Sequence, residues 1–296
     1  MQTLKYVRAE DCVEPASGAP AAIDPTPLLG EWVNTNTTTR GIEKVVINRD
    51  GDDVFIRVFG AWSASPRDWG AAKVDVLYST GVQSSDVLAF SAVYDFGFLE
   101  TRLEANLSLG LLVIANLNTF RDDSGRSNYF SREFFYHSKA SQEQFAHGAT
   151  QTGSTSAMRG EDQPDIEGPL PPGSIDPSPF LGDWLSTNSK TRGIARLVVT
   201  GNDDGLVIQG FGACAPPFCD WGEARGSVFA EGVMSKRGLA FSAVYDFGFK
   251  ETCLQAKVKK GVLVVANLNM FKDGSARSNY FSREFFYRPP AKKAPQ

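Results

Sequence analysis

Histidine is nearly missing: the 296 residues contain two, His137 and His147, and none follows residue 147. Ser-His-Asp triads, HExxH zinc sites and Cys2His2 fingers all need imidazole inside the folded unit, so none of them is expected here. Cysteine is scarce as well. Cys12, Cys214, Cys219 and Cys253 are too few and too scattered for a disulfide framework. The spacing of Cys214 and Cys219 permits a loop bridge, but free thiols are the expectation for an intracellular chain. No run approaches the ~20 apolar residues of a membrane span. The opening MQTLKYVRAEDCVEP carries charges where a signal peptide needs an apolar core, so the expectation is a cytoplasmic protein without a membrane partner. An excess of basic residues is also lacking. With 30 Lys and Arg against 34 Asp and Glu, the net charge of -4 gives no general attraction to nucleic acid. There is no GxxxxGK[ST] loop, and Gly210-Phe211-Gly212 runs into Pro216 and Pro217 instead of a helix. No cofactor and no metal are expected.

What is present is one unit written twice. IDPTPLLGEWVNTN at 23–36 returns as IDPSPFLGDWLSTN at 175–188, FSAVYDFGF at 90–98 returns at 241–249, and SNYFSREFFY at 127–136 returns at 278–287. The offset is 152 early and 151 later, which places a one-residue change near the turn at 80–86. The expected organisation is a disordered leader (1–22), repeat 1 (23–137), a flexible Ser/Gly/Gln/Pro-rich linker (138–173), repeat 2 (174–288) and a tail (289–296).

Within a copy the periodicity is that of strands, and no helix is evident. Eight segments are predicted in the first: 28–34, 42–48, 54–62, 72–78, 88–95, 100–107, 111–120 and 128–136. Turn residues such as Asp50-Gly51, Phe96-Gly97 and Leu109-Gly110 separate them. A flat meander of eight strands leaves two edges open, and closure removes them. The expected fold is therefore all-β: two tandem eight-stranded antiparallel up-and-down β-barrels joined by a flexible linker. Leu99, Thr101, Leu103, Ala105 and Leu107 should face a lumen. LLVIANLNTF at 111–120 is apolar on both phases, which predicts that its outer face packs on the sister barrel or a second chain.

Gly30-Glu31-Trp32 on the first strand, Gly182-Asp183-Trp184 in the second copy, and a last-strand arginine between aromatics (Arg132, Arg283) resemble the calycin superfamily of lipocalins, fatty-acid-binding proteins and avidins. The resemblance implies an eight-stranded barrel closed at one end by the tryptophan, with the arginine packed across it. Gly30, Trp32 and Asn34 are most similar to the avidin first strand, where the resemblance makes Asn34 a ligand contact. The second copy has Ser186 there.

Four groups are candidate sites. Trp69 and Trp221, in Asp-Trp-Gly, either stack on a flat ligand or cover a barrel end. Tyr94 with Asp95, and Tyr245 with Asp246, are candidate catalytic pairs if buried, and are otherwise ordinary corner residues. Asn116 and Asn118, repeated as Asn267 and Asn269, share one strand face about 6–7 Å apart. They are lumenal ligand anchors or an interface ladder. Arg40 and Arg192 lie in the first interstrand loop. Together these features predict a protein that binds a small molecule or glycan, with a lumenal cyclase or isomerase using a tyrosine and a carboxylate as the alternative. A filled, purely structural barrel is the third reading.

Overall fold

The computed structural model describes residues 6–12, 22–63, 65–138, 156–165, 169–170, 173–202, 205–214 and 218–290. Period-two alternation produces sixteen strands. Repeat 1 contributes β1 (Gly30–Asn34), β2 (Ile42–Asp50), β3 (Asp53–Gly60), β4 (Arg67–Ser79), β5 (Val87–Asp95), β6 (Leu99–Ser108), β7 (Leu111–Phe120) and β8 (Tyr129–His137). Repeat 2 contributes β9 (Gly182–Ser186), β10 (Ile194–Asn202), β11 (Gly205–Gly212), β12 (Cys219–Ala230), β13 (Gly238–Asp246), β14 (Lys250–Lys259), β15 (Val262–Phe271) and β16 (Tyr280–Tyr287). The chain is all-β, with two 3-10 turns and no α-helix among the described residues. None of its helical turns is long and apolar enough to cross a membrane.

Strands pair antiparallel in chain order within each repeat, and the first also pairs with the last: Val33 opposes Tyr136, and Leu185 opposes Tyr287. The Leu109-Gly110 turn has φ of +51° and +79°, the two positive values that a two-residue hairpin turn requires. The length difference between the copies does not fall at the 80–86 turn. It lies inside β4, which has 13 residues against 12 in β12, and the extra one is absorbed by a register shift between Val74 and Val76.

The repeats do not form separate sheets joined only by a linker. Parallel bridges from Ala230 to Tyr129 and from Tyr280 to Ser79 merge all strands into one sixteen-stranded sheet. The Ala230 amide donates to the Asn128 carbonyl and the Ser79 amide to the Asn279 carbonyl, both at 2.8 Å. Apolar side chains cover the same seam, with Ala115, Leu117 and Phe130 against Phe229 and Ala240, and Tyr78 and Ala89 against Ala266, Leu268 and Phe281. This explains a strand apolar on both phases. It also explains why Glu104 and Asn106, on the outer phase of β6, are buried.

Burial at the seam pushes the Glu104 carboxyl from its usual 4.5 up to about 7. Its Oε1 lies 3.6 Å from the Cys253 thiol. A carboxyl raised in the folded state binds its proton more tightly there than in the unfolded chain. Stability therefore falls as pH rises through the window from 4.5 to 7. Glu104→Gln, which installs the amide that Gln255 already provides at the equivalent place in repeat 2, should flatten the slope of urea midpoint against pH across that window.

Two segments expected to lack structure are partly built into the fold. Of the leader, Val7, Arg8 and Asp11 are buried. Of the linker, Ala157, Met158, Arg159 and Asp162 are buried. Residues 1–5 and 13–21 of the leader, 139–155, 166–168 and 171–172 of the linker and 291–296 of the tail lie outside the described residues. Cys214 and Cys219 are bonded to each other, correcting the expectation of free thiols, whereas Cys12 and Cys253 are free.

Candidate functional site

The inward positions of β6, β7 and β8 are apolar along most of their length and turn polar toward one end. Leu103, Ala105, Leu112 and Ile114 join the core cluster, while Thr101, Asn116, Asn118, Tyr129, Ser131 and Glu133 collect at the mouth. Asn116 and Asn118 have no exposure and share the phase of the core residues Leu112 and Ile114. Their partners, however, belong to the protein. Asn116 donates to Ser131 Oγ at 3.1 Å, and Asn118 accepts from Thr101 Oγ1 at 2.9 Å. Glu133 anchors the first loop by accepting from Thr39 Oγ1 (2.7 Å), the Ile42 amide (3.0 Å) and Asn34 Nδ2 (2.8 Å).

Residues 157–162 enter this mouth. The Arg159 guanidinium lies 4.8 Å from the centre of the Trp69 ring and donates to Thr101 Oγ1 (3.1 Å) and Asn118 Oδ1. Asp162 accepts from the Tyr129 hydroxyl at 2.6 Å and from the amides of Met158 and Arg159 at 2.7 and 3.0 Å. Trp69 Nε1 donates to the Met158 carbonyl at 3.2 Å. Gly60 makes room for that carbonyl, because a Cβ added there would overlap it.

The leader does the same in repeat 2. Arg8 sits 4.8 Å from the centre of the Trp221 ring and donates to Asn267 Oδ1 at 3.3 Å. Trp221 Nε1 donates to the Val7 carbonyl at 3.0 Å. Asp11 accepts from the Tyr280 hydroxyl at 2.7 Å and from Lys250 Nζ at 2.6 Å, in an ion pair with neither side chain exposed. Lys250 stands where repeat 1 has Leu99. Burial and the neighbouring Arg8 push the Lys250 ammonium down to about 7. For Asp11, Lys250 and Arg8 together outweigh burial and hold the carboxyl below its usual range.

Both caps follow one short pattern, Val7-Arg8-Ala9-Glu10-Asp11 and Met158-Arg159-Gly160-Glu161-Asp162, at an offset of 151. Comparing the leader with the linker would have exposed it, but each looks like low-complexity polar chain. The caps are crossed. The segment ahead of repeat 1 closes repeat 2, and the segment ahead of repeat 2 closes repeat 1.

The other expected site residues have different roles from those predicted. Trp69 has no exposure and Trp221 little, so both are walls that receive a cap and not open stacking platforms. The Tyr94 hydroxyl donates to the Ile56 carbonyl at 2.7 Å and that of Tyr245 to the Ile208 carbonyl at 2.6 Å. Asp95 and Asp246 are exposed and pair with Arg121 and Lys272. In neither repeat does the tyrosine meet the carboxylate, so the catalytic pairs are not assembled. Asn34 is buried, and its Nδ2 also donates to the Ile42 carbonyl at 2.7 Å, which makes it a loop brace. Asn269 repeats the role of Asn118 by accepting from Thr252 Oγ1 at 3.0 Å. Trp32 and Trp184 are buried, but Arg132 and Arg283 lie on the outer phase of their strands. His137, with its ring centre 4.8 Å away, and Arg288, 4.3 Å from the ring centre, pack on the tryptophans instead.

Beside the cap of repeat 1 is a cleft of about 320 Å3. It is lined by Arg40, Tyr129, Ser131, Glu161, Gln163 and Asp165, and by residues 231–235 of repeat 2. Glu161 Oε2 is shielded from solvent without a hydrogen-bond partner, and burial together with Glu133 pushes this carboxyl up to about 7. Among the described residues no group of three or more His, Cys, Asp or Glu side chains converges to hold a metal. No family model matches the chain, and no curated protein matches it.

Proposed function

We propose that the protein is a non-catalytic binding protein made of two calycin-like eight-stranded barrels, and that its ligand is a small polar molecule or glycan held in the mouth cleft of repeat 1. The observation that carries this reading is a cleft of about 320 Å3 lined by Glu161, Ser131 and Arg40, with one buried Glu161 oxygen left without a hydrogen-bond partner at its edge. Burial and the neighbouring Glu133 raise this carboxyl, and in its protonated form it both donates to and accepts from a hydroxyl. A few convergent polar groups at a concave site are what orienting a polyhydroxylated ligand requires.

The lumens themselves are filled. Leu28, Trp32, Ile47, Ile56, Phe90 and Phe135 close the first, and Phe180, Trp184, Ile208, Phe241, Leu254 and Phe286 the second. That packing favours a second reading, a structural or interaction module that takes no small ligand. The cyclase or isomerase alternative retains only its apolar walls, since both tyrosine hydroxyls are engaged by backbone.

Ligand-observed NMR against a panel of neutral mono- and disaccharides tests the binding reading. At least one member should saturate, and Glu161→Leu and Ser131→Val should each weaken it tenfold or more while the thermal midpoint stays within a few degrees. Silence across the panel, or binding indifferent to both substitutions, removes the cleft and leaves the module.

A further inference from the structure

We propose that the mouth of each repeat is a peptide-recognition socket for an apolar-Arg-small-Glu-Asp segment, and that it accepts this segment supplied in trans. The proposal is independent of the cleft reading, because the socket of repeat 2 shows the recognition without that cleft.

The crossed arrangement carries the argument. Arg8 and Asp11 reach forward to Asn267, Lys250 and Tyr280, between 239 and 269 residues downstream. Arg159 and Asp162 reach back to Thr101, Asn118 and Tyr129, between 33 and 58 residues upstream. Connection direction and length therefore differ in the two cases, while the indole stack, the tyrosine–aspartate bond and the indole–carbonyl bond recur, with Arg8 taking Asn267 where Arg159 takes Asn118 and Thr101. Occupancy follows side-chain chemistry and not chain continuity.

The socket engages the arginine, the aspartate, the small residue and the backbone of the segment through separate contacts. The arginine stacks on a tryptophan and donates to an asparagine of β7 or β15. The aspartate accepts from a tyrosine hydroxyl and from a backbone amide of its own segment. The carbonyl before the arginine takes the indole N–H over a glycine, Gly60 or Gly212, whose Cβ would overlap it. Backbone bonds from Gly160 to Ala61 (3.0 Å) and from Ala9 to Ala213 (2.7 Å) dock the segment in equivalent ways. The small position differs between sockets. A Cβ at Gly160 would lie 3.3 Å from Arg40 Cβ and Nε, whereas the second socket holds Ala9.

The test uses the full chain carrying R8A/D11A, which weakens the leader's hold on the second socket, titrated by calorimetry with acetyl-Tyr-Val-Arg-Ala-Glu-Asp-Ser-amide. One saturable site per chain is expected. Affinity should fall tenfold or more when the peptide arginine is replaced by alanine, and when Gly212→Val is added to the protein. No saturable binding, or equal binding of a scrambled peptide, overturns the proposal. Should R8A/D11A fail to fold, Asp11→Asn keeps the arginine and the side-chain shape, and the same peptide order must hold against its weakened leader. Native mass spectrometry of R8A/D11A mixed with wild-type chain distinguishes the sources. A heterodimer shows that a second copy supplies the segment, and monomers that still capture peptide show that supply is normally from within the chain.

Discussion

Asp11→Ala is expected to lower the free energy of unfolding by about 3–5 kcal/mol, because it leaves the Lys250 ammonium and the Arg8 guanidinium buried without the carboxylate between them. Lys250→Leu should shift stability by less than about 1 kcal/mol or raise it, although it breaks the same ion pair. The reason lies in repeat 1, which is the natural form of that substitution. There Leu99 occupies the lysine's place, and Asp162 is satisfied by the Tyr129 hydroxyl, two backbone amides and the Arg159 guanidinium at 3.3 Å. Asp11 would keep the Tyr280 hydroxyl at 2.7 Å and the Val7 amide at 3.2 Å. Urea denaturation of the two variants side by side measures the asymmetry. Equal losses would show that the pair, and not the aspartate alone, holds the leader.

Trp69→Ala should destabilise the protein by about 3–5 kcal/mol, the range for removing a fully buried large aromatic. The indole does more than fill volume. It lies in edge contact with Tyr94 and Phe96, at ring-centre distances of 5.2 and 5.3 Å, while its other contacts carry the cap. Trp69→Phe keeps an aromatic wall but deprives the Met158 carbonyl of its indole donor, at about 1–3 kcal/mol. Amide exchange should show the difference. In Trp69→Phe the amides of Met158, Gly160 and Glu161 should exchange faster, while the β6–β7 ladder stays protected. Protection retained at all three would mean the indole contributes to the core only.

Strand positions, hairpin turns and the inward phase of β6 were legible in the sequence because period-two burial and Gly-containing turns are local signals. Leu99, Thr101 and Leu103 alternate with Glu100 and Arg102 without a break. The doubly apolar β7 was legible for the same reason, and its second face is covered by the sister repeat. The caps were not legible. Arg8 and Arg159 sit in stretches too short and polar to show a period, and only long-range pairing gives them burial. Asn116 and Asn118 were recognisable as a polar pair, but Arg159, which Asn118 accepts from, lies outside the repeat as first delimited, while Asn116 bonds to Ser131 within it. Tyr94-Asp95 misled because adjacent residues on a strand point to opposite faces, which placed the hydroxyl in the core and the carboxylate in water. The Cys214–Cys219 bond has no counterpart in repeat 1, so the duplication offered no guide to it.

The crossed caps set an order of events during synthesis. Residues 6–12 leave the ribosome before either repeat, yet Tyr280, which Asp11 accepts from, is made 269 residues after Asp11. At ~5–20 residues per second the leader waits on the order of tens of seconds for its place. Repeat 1 meets its own cap much sooner, once residue 162 has emerged, only 25 positions after β8 ends at His137. Throughout that interval residues 6–12 are without their seat. The strands of repeat 2 therefore decide when residues 6–12 become part of the fold.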